Sequence, residues 1–166
     1  MNRGYHEIKE HGKREFPFNI YPCSIPVDFS HVALHWHEEM EIIAVKKGKG
    51  RITVDTVSYP VEEGDILAVF PGQLHAISCG NGERMEYENI IFRLSMLMGD
   101  NGDGCTVHFL KPLQEGQAKN PVLIQRNQPD HEVFGKVIQE LDRFSEIRGN
   151  GYQLAVKGQL FLFLYY

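Results

Sequence analysis

The chain has 166 residues, 42% of them hydrophobic and 11% aromatic, with a formal net charge of -5 and a pI near 5.9. That length suits about one domain with one sizeable core and makes a disulfide scaffold unnecessary, so Cys23, Cys79 and Cys105, which are far apart and show no Cys-x-x-Cys spacing, read as reduced thiols in a cytoplasm. The negative charge and the lack of a basic stripe exclude a chain that grips DNA by itself, because that affinity comes from clustered Lys and Arg.

The N-terminal segment MNRGYHEIKEHGKREF is polar and charged where a signal peptide needs an apolar run, and no stretch of about 18 apolar residues follows. The expectation is a soluble cytoplasmic protein with no membrane partner. From Val32 to Phe92 short apolar or alternating runs recur: Val32–Trp36, Glu41–Lys47, Arg51–Asp55, Val57–Val61, Ile66–Phe70, His75–Ser78 and Met85–Phe92. Lys-Gly-Lys-Gly, Glu-Glu-Gly-Asp, Pro-Gly-Gln and Gly-Asn-Gly separate them, at the spacing of an all-β barrel or sandwich. Their order predicts an antiparallel meander. Gly-Asp-Asn-Gly-Asp-Gly at 99–104 predicts a mobile loop, and Thr106–Leu110 a further strand.

Beyond Asp130 the period changes. Phe134, Val137, Ile138, Leu141, Phe144 and Ile147 follow the spacing of a helix with one buried stripe, with Asp130 as its N-cap. Gly149-Asn150-Gly151 then allows a tight turn into a second helix, Tyr152 to Tyr166. Leu154 and Leu160 to Tyr166 crowd apolar side chains all round that helix, more than one stripe can bury, which predicts a homodimer.

The chemistry concentrates in HWHEEMEIIAVKKGKG. His35 and His37 are two apart, so on a strand both imidazoles face one side, and Glu41 can join them after a short turn. His75 follows Pro71-Gly72-Gln73-Leu74 at the start of another strand. Three imidazoles and one carboxylate are a donor set that suits Zn, Ni, Fe or Mn. Ile43 and Val45 share Glu41's parity and should line the interior as core or as walls of a ligand cavity. Tyr87 and Asn89 should face the barrel, while Arg84, Glu86, Glu88 and Arg93 form a solvated face. Trp36 should point away from the histidines and pack an N-terminal arm. His6, His11, His31, His108 and His131 show no ligand-like spacing and read as ordinary histidines.

These residues resemble the cupin family, whose first motif, G-x5-H-x-H-x3,4-E-x6-G, is matched from His35 through His37 and Glu41 to Gly48. The leading Gly is absent, and the second motif is approximated by Gly64, Pro71, Gly72 and His75, with spacing off by one and Cys79 near the place of the final Asn. Within cupins, HWHEEMEII, GKGRITVDTVSYPVEEGDILAVFPGQLHAI and YENIIF look most like the N-terminal sensor domain of AraC-type transcription regulators. The resemblance implies a mainly β fold, a cupin-type (double-stranded β-helix or jelly-roll) barrel at 1–130 with an N-terminal arm, followed by two C-terminal α-helices at 131–166 that dimerise. It implies a small polar effector, such as a sugar, on His35, His37, Glu41, Ile43, His75 and Tyr87, with the segment up to Pro26 as the mobile element. DNA would be reached only through a missing C-terminal helix-turn-helix domain. The alternative is a metal-dependent cupin enzyme, a dioxygenase or sugar isomerase.

Overall fold

A single long strand organises the barrel. In the computed structural model, which describes residues 3–100 and 102–166, β3 runs from Met40 to Val54 without interruption. The Lys-Gly-Lys-Gly segment that reads as a break in the sequence is a bend inside this strand. The register shifts between Val45 and Lys47, and Gly48 takes φ +77, where a Cβ would stand 2.0 Å from the Arg84 carbonyl oxygen. Only glycine fits both the left-handed backbone and that close approach.

The bend lets β3 serve two faces of an eight-stranded sheet. Its first half pairs with β7 (Met85–Phe92) and β5 (Ile66–Val69). Its second half pairs with β4 (Val57–Glu62) and β6 (His75–Ser78). Outside it, β1 (Phe18–Ile25) pairs with β7 over its whole length, and β2 (Val32–His35) pairs with β6. All these pairings are antiparallel, but only β3 and β4 are consecutive partners among the described residues. The expected meander is therefore corrected to a barrel of crossing connections, because turn signals mark where strands end and not which strands pair.

β1 falls in the segment expected to be a mobile arm. Its pairing along β7 shortens the arm to the residues before Phe18. Pro22 is tolerated in it because β1 ends the strand order, where a missing N–H leaves no partner unsatisfied.

The interior is apolar. Ile25, Ile43, Val45, Ile52, Val54, Leu67, Val69, Ile77 and Met85 form one buried cluster. The expected strand Thr106–Leu110 is instead a π-helical segment that runs into the short helix α1 (Lys111–Gln114). Asp103 initiates it, accepting from both the backbone N–H and the hydroxyl of Thr106 at 2.7 Å, a capping contact that turns a run of strand-prone residues into a helical start. The loop expected at 99–104 includes Asn101, which lies outside the described residues, as do Met1 and Asn2 of the arm. A short strand, β8 (Val122–Ile124), follows further along the chain.

The chain divides into two compact units, Met1–Leu123 and Ile124–Tyr166. The second unit is a helix pair, α2 (His131–Ile147) and α3 (Tyr152–Tyr165). Asp130 occupies the N-cap position without a side-chain cap bond, and Arg148 and Gly151 supply the left-handed residues of the turn. The stripe of Phe134, Val137, Ile138 and Leu141 is buried, and so are Val156, Leu160 and Phe163. The rings of Phe134 and Phe163 meet edge to face with centroids 5.1 Å apart. Ile147, Leu154, Phe161, Leu162, Tyr165 and Tyr166 remain exposed.

Candidate functional site

The two faces of the sheet bring the four predicted residues together. β2 and β6 set His35 directly opposite His75, while Glu41 begins the other half of β3, opposite Val69 and Ile91. The bend at Gly48 closes the distance, so His75 reaches Glu41 across 34 residues of sequence. His37 lies in the loop between β2 and β3, where its carbonyl accepts from the Gly72 N–H at 2.8 Å. That bond ties the loop to the turn preceding His75. The same loop is held by buried Glu39, which accepts from Arg93 Nε at 2.8 Å.

One ligand atom each of His35, His37, Glu41 and His75 lies within 4.8 Å of the others. Each ring's Nδ1 faces a backbone carbonyl: His35 donates to Ala33 at 2.8 Å, His37 to Glu39 at 3.1 Å and His75 to Gln73 at 2.9 Å. A carbonyl only accepts, so each Nδ1 carries its hydrogen and each Nε2 becomes the ligand atom. The Nε2 atoms of His37 and His75 both meet Glu41 Oε2, at 2.9 and 3.0 Å. Both rings therefore face acceptors at either end. This focus requires positive charge, carried by protons on the rings or by a divalent cation.

The electrostatics follow from that arrangement. Burial works against a charged Glu41, yet the imidazoles of His75 and His37 hold its carboxyl below the usual carboxylate range. Burial likewise disfavours a charged His75, but Glu41 and the Gln73 carbonyl raise it above the ordinary imidazole value. His35 is lowered, first by burial and then by His75. A donor set of three oriented imidazoles and one carboxylate fits Zn, Ni, Fe or Mn.

Ile43 stands two residues along β3 from Glu41 and belongs to the apolar cluster. Tyr87 faces the same interior, opposite Val45 on β3 and Cys23 on β1. Its hydroxyl is buried without an oxygen or nitrogen partner, with the Cys23 thiol beside it. Asn89 Oδ1, two residues further on, is also buried and unpartnered. Glu86 and Glu88 point outward, paired with Lys47 and Lys46.

The arm adds two residues that spacing did not reveal. Trp36 packs the arm as expected: the His6 ring stacks on it with centroids 4.2 Å apart, the Trp36 N–H donates to the Tyr5 carbonyl, and the Glu7 N–H donates to the Trp36 carbonyl, both at 2.9 Å. This docking places Glu7 Oε2 3.7 Å from His35 Nε2 and 3.6 Å from His11 Nε2. His11 is buried, bonds Tyr21 Oη through Nδ1 at 3.2 Å, and lies near His37 with ring centroids 6.0 Å apart. His6 is the exposed histidine that was expected, whereas His11 is buried beside the cluster, because an irregular segment has no period to read. A cavity of about 140 Å³ opens at the arm's base, lined by Glu10, His11, Lys13, Arg14 and Arg93 among others.

The model of the AraC-like ligand binding domain matches residues 26–164. The chain belongs to this family. All four clustered residues of this AraC-like domain fall inside the matched span, whereas Glu7 and His11 precede it. Among curated proteins the domain is 27% identical over 88 residues to the uncharacterized HTH-type transcriptional regulator YdeC of Bacillus subtilis (strain 168), covering 52% of this chain and 30% of that relative. The domain therefore spans less than a third of the relative it matches. Among solved structures, ToxT from Vibrio cholerae O395 is 17% identical, with a TM-score of 0.46 and 90% of this chain and 53% of that chain covered. A Cupin 2 conserved barrel domain protein from Salinispora arenicola CNS-205 is 23% identical, with a TM-score of 0.43 and 48% and 66% covered.

Proposed function

We propose that this domain is the effector-sensing and dimerising part of a bacterial transcription regulator that works in the cytoplasm, and that DNA is bound by a helix-turn-helix domain outside these 166 residues. The observation that carries the reading is the docked arm. Tyr5, His6 and Glu7 are held on Trp36, the residue between two of the clustered histidines, so a molecule arriving at the cluster meets the arm. An effector shifts such an equilibrium only by binding the arm-docked and arm-released states unequally.

A small polar effector, sugars included, would contact His35, His37, Glu41 and His75, with Ile43 as apolar wall and Tyr87 offering a buried hydroxyl that has no oxygen or nitrogen partner. A divalent metal, Zn, Ni, Fe or Mn, would be held by His35, His37, Glu41 and His75, and when bound it supplies Lewis acidity and a coordination position for an effector oxygen. The residues themselves orient the effector and exclude water. The enzyme alternative, a dioxygenase or sugar isomerase, draws on the same four-ligand convergence. Against it stands the match to the AraC-like ligand binding domain and the HTH-type transcriptional regulator among its relatives.

Thermal-shift and calorimetric screening with small polar molecules tests the sensor. A true effector at about 100 times its dissociation constant adds about 2.7 kcal/mol of stability and is recovered unchanged. Recovery of a converted product after incubation with metal-loaded protein would install the enzyme reading instead. Dimerisation is supported by the exposed Leu154, Phe161 and Leu162 of α3, and a second copy is the occupant we expect. Light scattering should give twice 19.0 kDa, reverting to the single mass in Leu154→Glu. A single mass at every concentration would remove the dimer.

A further inference from the structure

We propose that Glu7 is a latch through which a bound divalent cation locks the arm down. The inference rests on the metal reading of the four-residue cluster and adds a residue from outside it. Glu7 is the sole arm carboxylate paired with a cluster histidine among the described residues, at 3.7 Å from His35 Nε2. His35 Nδ1 is committed to the Ala33 carbonyl, so Nε2 is the atom that would turn to a cation. Two ligand atoms on one ion with bonds of 2.0 to 2.2 Å stand roughly 3.0 to 3.6 Å apart. Glu7 Oε2 lies just beyond that spacing.

Charge points the same way. A divalent cation on three neutral imidazoles and Glu41 keeps one net positive charge, and a second carboxylate cancels it. Without the cation, Glu7 Oε2 has the imidazole nitrogens of His11 and His35 at 3.6 and 3.7 Å. The arm's register is set independently by the two Trp36 backbone bonds and the His6 stack, so drawing Glu7 inward asks for a side-chain adjustment while the arm stays in place. His11, whose Nε2 lies 3.6 Å from Glu7 Oε2, stays bonded to Tyr21 through Nδ1.

The coupling is reciprocal: the factor by which the cation favours the docked arm equals the factor by which the docked arm favours the cation. The test uses the whole chain at one fixed pH with zinc chloride or EDTA, comparing wild type with Glu7→Gln. Amide exchange of residues 5–16 is followed by mass spectrometry, and zinc affinity by calorimetry. In wild type zinc should slow arm exchange by about tenfold, and Glu7→Gln should lose that slowing and about the same factor in zinc affinity, within the 5- to 150-fold range of such couplings. Glu7→Asp should recover part of both. Zinc binding with equal arm protection in wild type and Glu7→Gln overturns the latch and leaves the metal site standing. Failure of wild type to bind zinc at all overturns both.

Discussion

The barrel interior and the histidine focus stand on the same strands, two residues apart, and follow opposite rules. On β3 Glu41 is succeeded on the same face by Ile43 and Val45, and on β6 His75 by Ile77. One step along either strand separates a wall of hydrocarbon from a carboxylate held by two imidazoles. The pleat makes this possible, because it fixes the distance between neighbours on a face whatever their chemistry. The apolar end supplies stability that solution conditions hardly touch. The polar end is bound to its surroundings, since the charges on Glu41 and His75 respond to pH.

Truncating the polar end should therefore have the largest effect. Glu41→Ala leaves the His37 and His75 Nε2 atoms without their shared acceptor, and uncovering a buried ion pair costs about 3–5 kcal/mol. Denaturant unfolding of the metal-free variant should show that loss, and zinc calorimetry should show no binding. Leu67→Ala, in the apolar end opposite Ile43, should cost about 3 kcal/mol through its cavity. Zinc affinity should be unchanged in Leu67→Ala. A core truncation that also abolished metal binding would mean the two regions are not separable.

Titration sharpens the contrast. His75 is raised, so its contribution is complete below the unfolded imidazole value of about 6.5 and is lost as pH rises through the higher folded value. Glu41 is lowered, so its contribution is present above the unfolded value of about 4.3 and is lost as pH falls through the depressed one. His35, lowered by burial, works in the direction opposite to His75. The stability of metal-free wild type relative to Glu41→Gln should thus be greatest between about pH 5 and 6.5 and decline as pH rises beyond that window. A difference independent of pH would show that the focus carries no linked proton.

How much of this could be read in advance differs along the same line. His35, His37, Glu41 and His75 were legible because strand spacing and turn residues are local, and the Val57 to Phe92 strands were legible for the same reason. Other features were not. Pro22 disguised β1, since proline in an apolar run argues against a strand unless the run lies at an edge. The glycines at 48 and 50 read as a turn, although only the Arg84 carbonyl, far off in sequence, makes Gly48 a bend. Glu7 and His11 gave no signal because their positions depend on Trp36, the one arm contact that outward parity did anticipate.

The smallest expected effect on stability is also the sharpest on function. Tyr87 lies on the apolar side of the divide, 1% exposed, among Val45, Met85 and Cys23, yet it carries a hydroxyl with no oxygen or nitrogen partner. Burial pushes the phenol's pKa up, with the Cys23 thiol and Glu41 adding to the shift, so the hydroxyl stays neutral and able to donate at any ordinary pH. A buried, unmatched hydroxyl costs stability, and removing it without changing shape is nearly neutral or stabilising, within about 1 kcal/mol. Tyr87→Phe should accordingly unfold at the wild-type denaturant midpoint or slightly above it. If the hydroxyl is kept for an effector, the same variant should weaken effector binding by about tenfold, the worth of one hydrogen bond to a buried polar group. Zinc affinity should not move, because Tyr87 is not in the four-residue set. A variant that loses stability by more than about 2 kcal/mol would show that the hydroxyl is already satisfied inside the fold, by the Cys23 thiol beside it. An effector bound equally well by both proteins would confine recognition to the histidine end and remove Tyr87 from it.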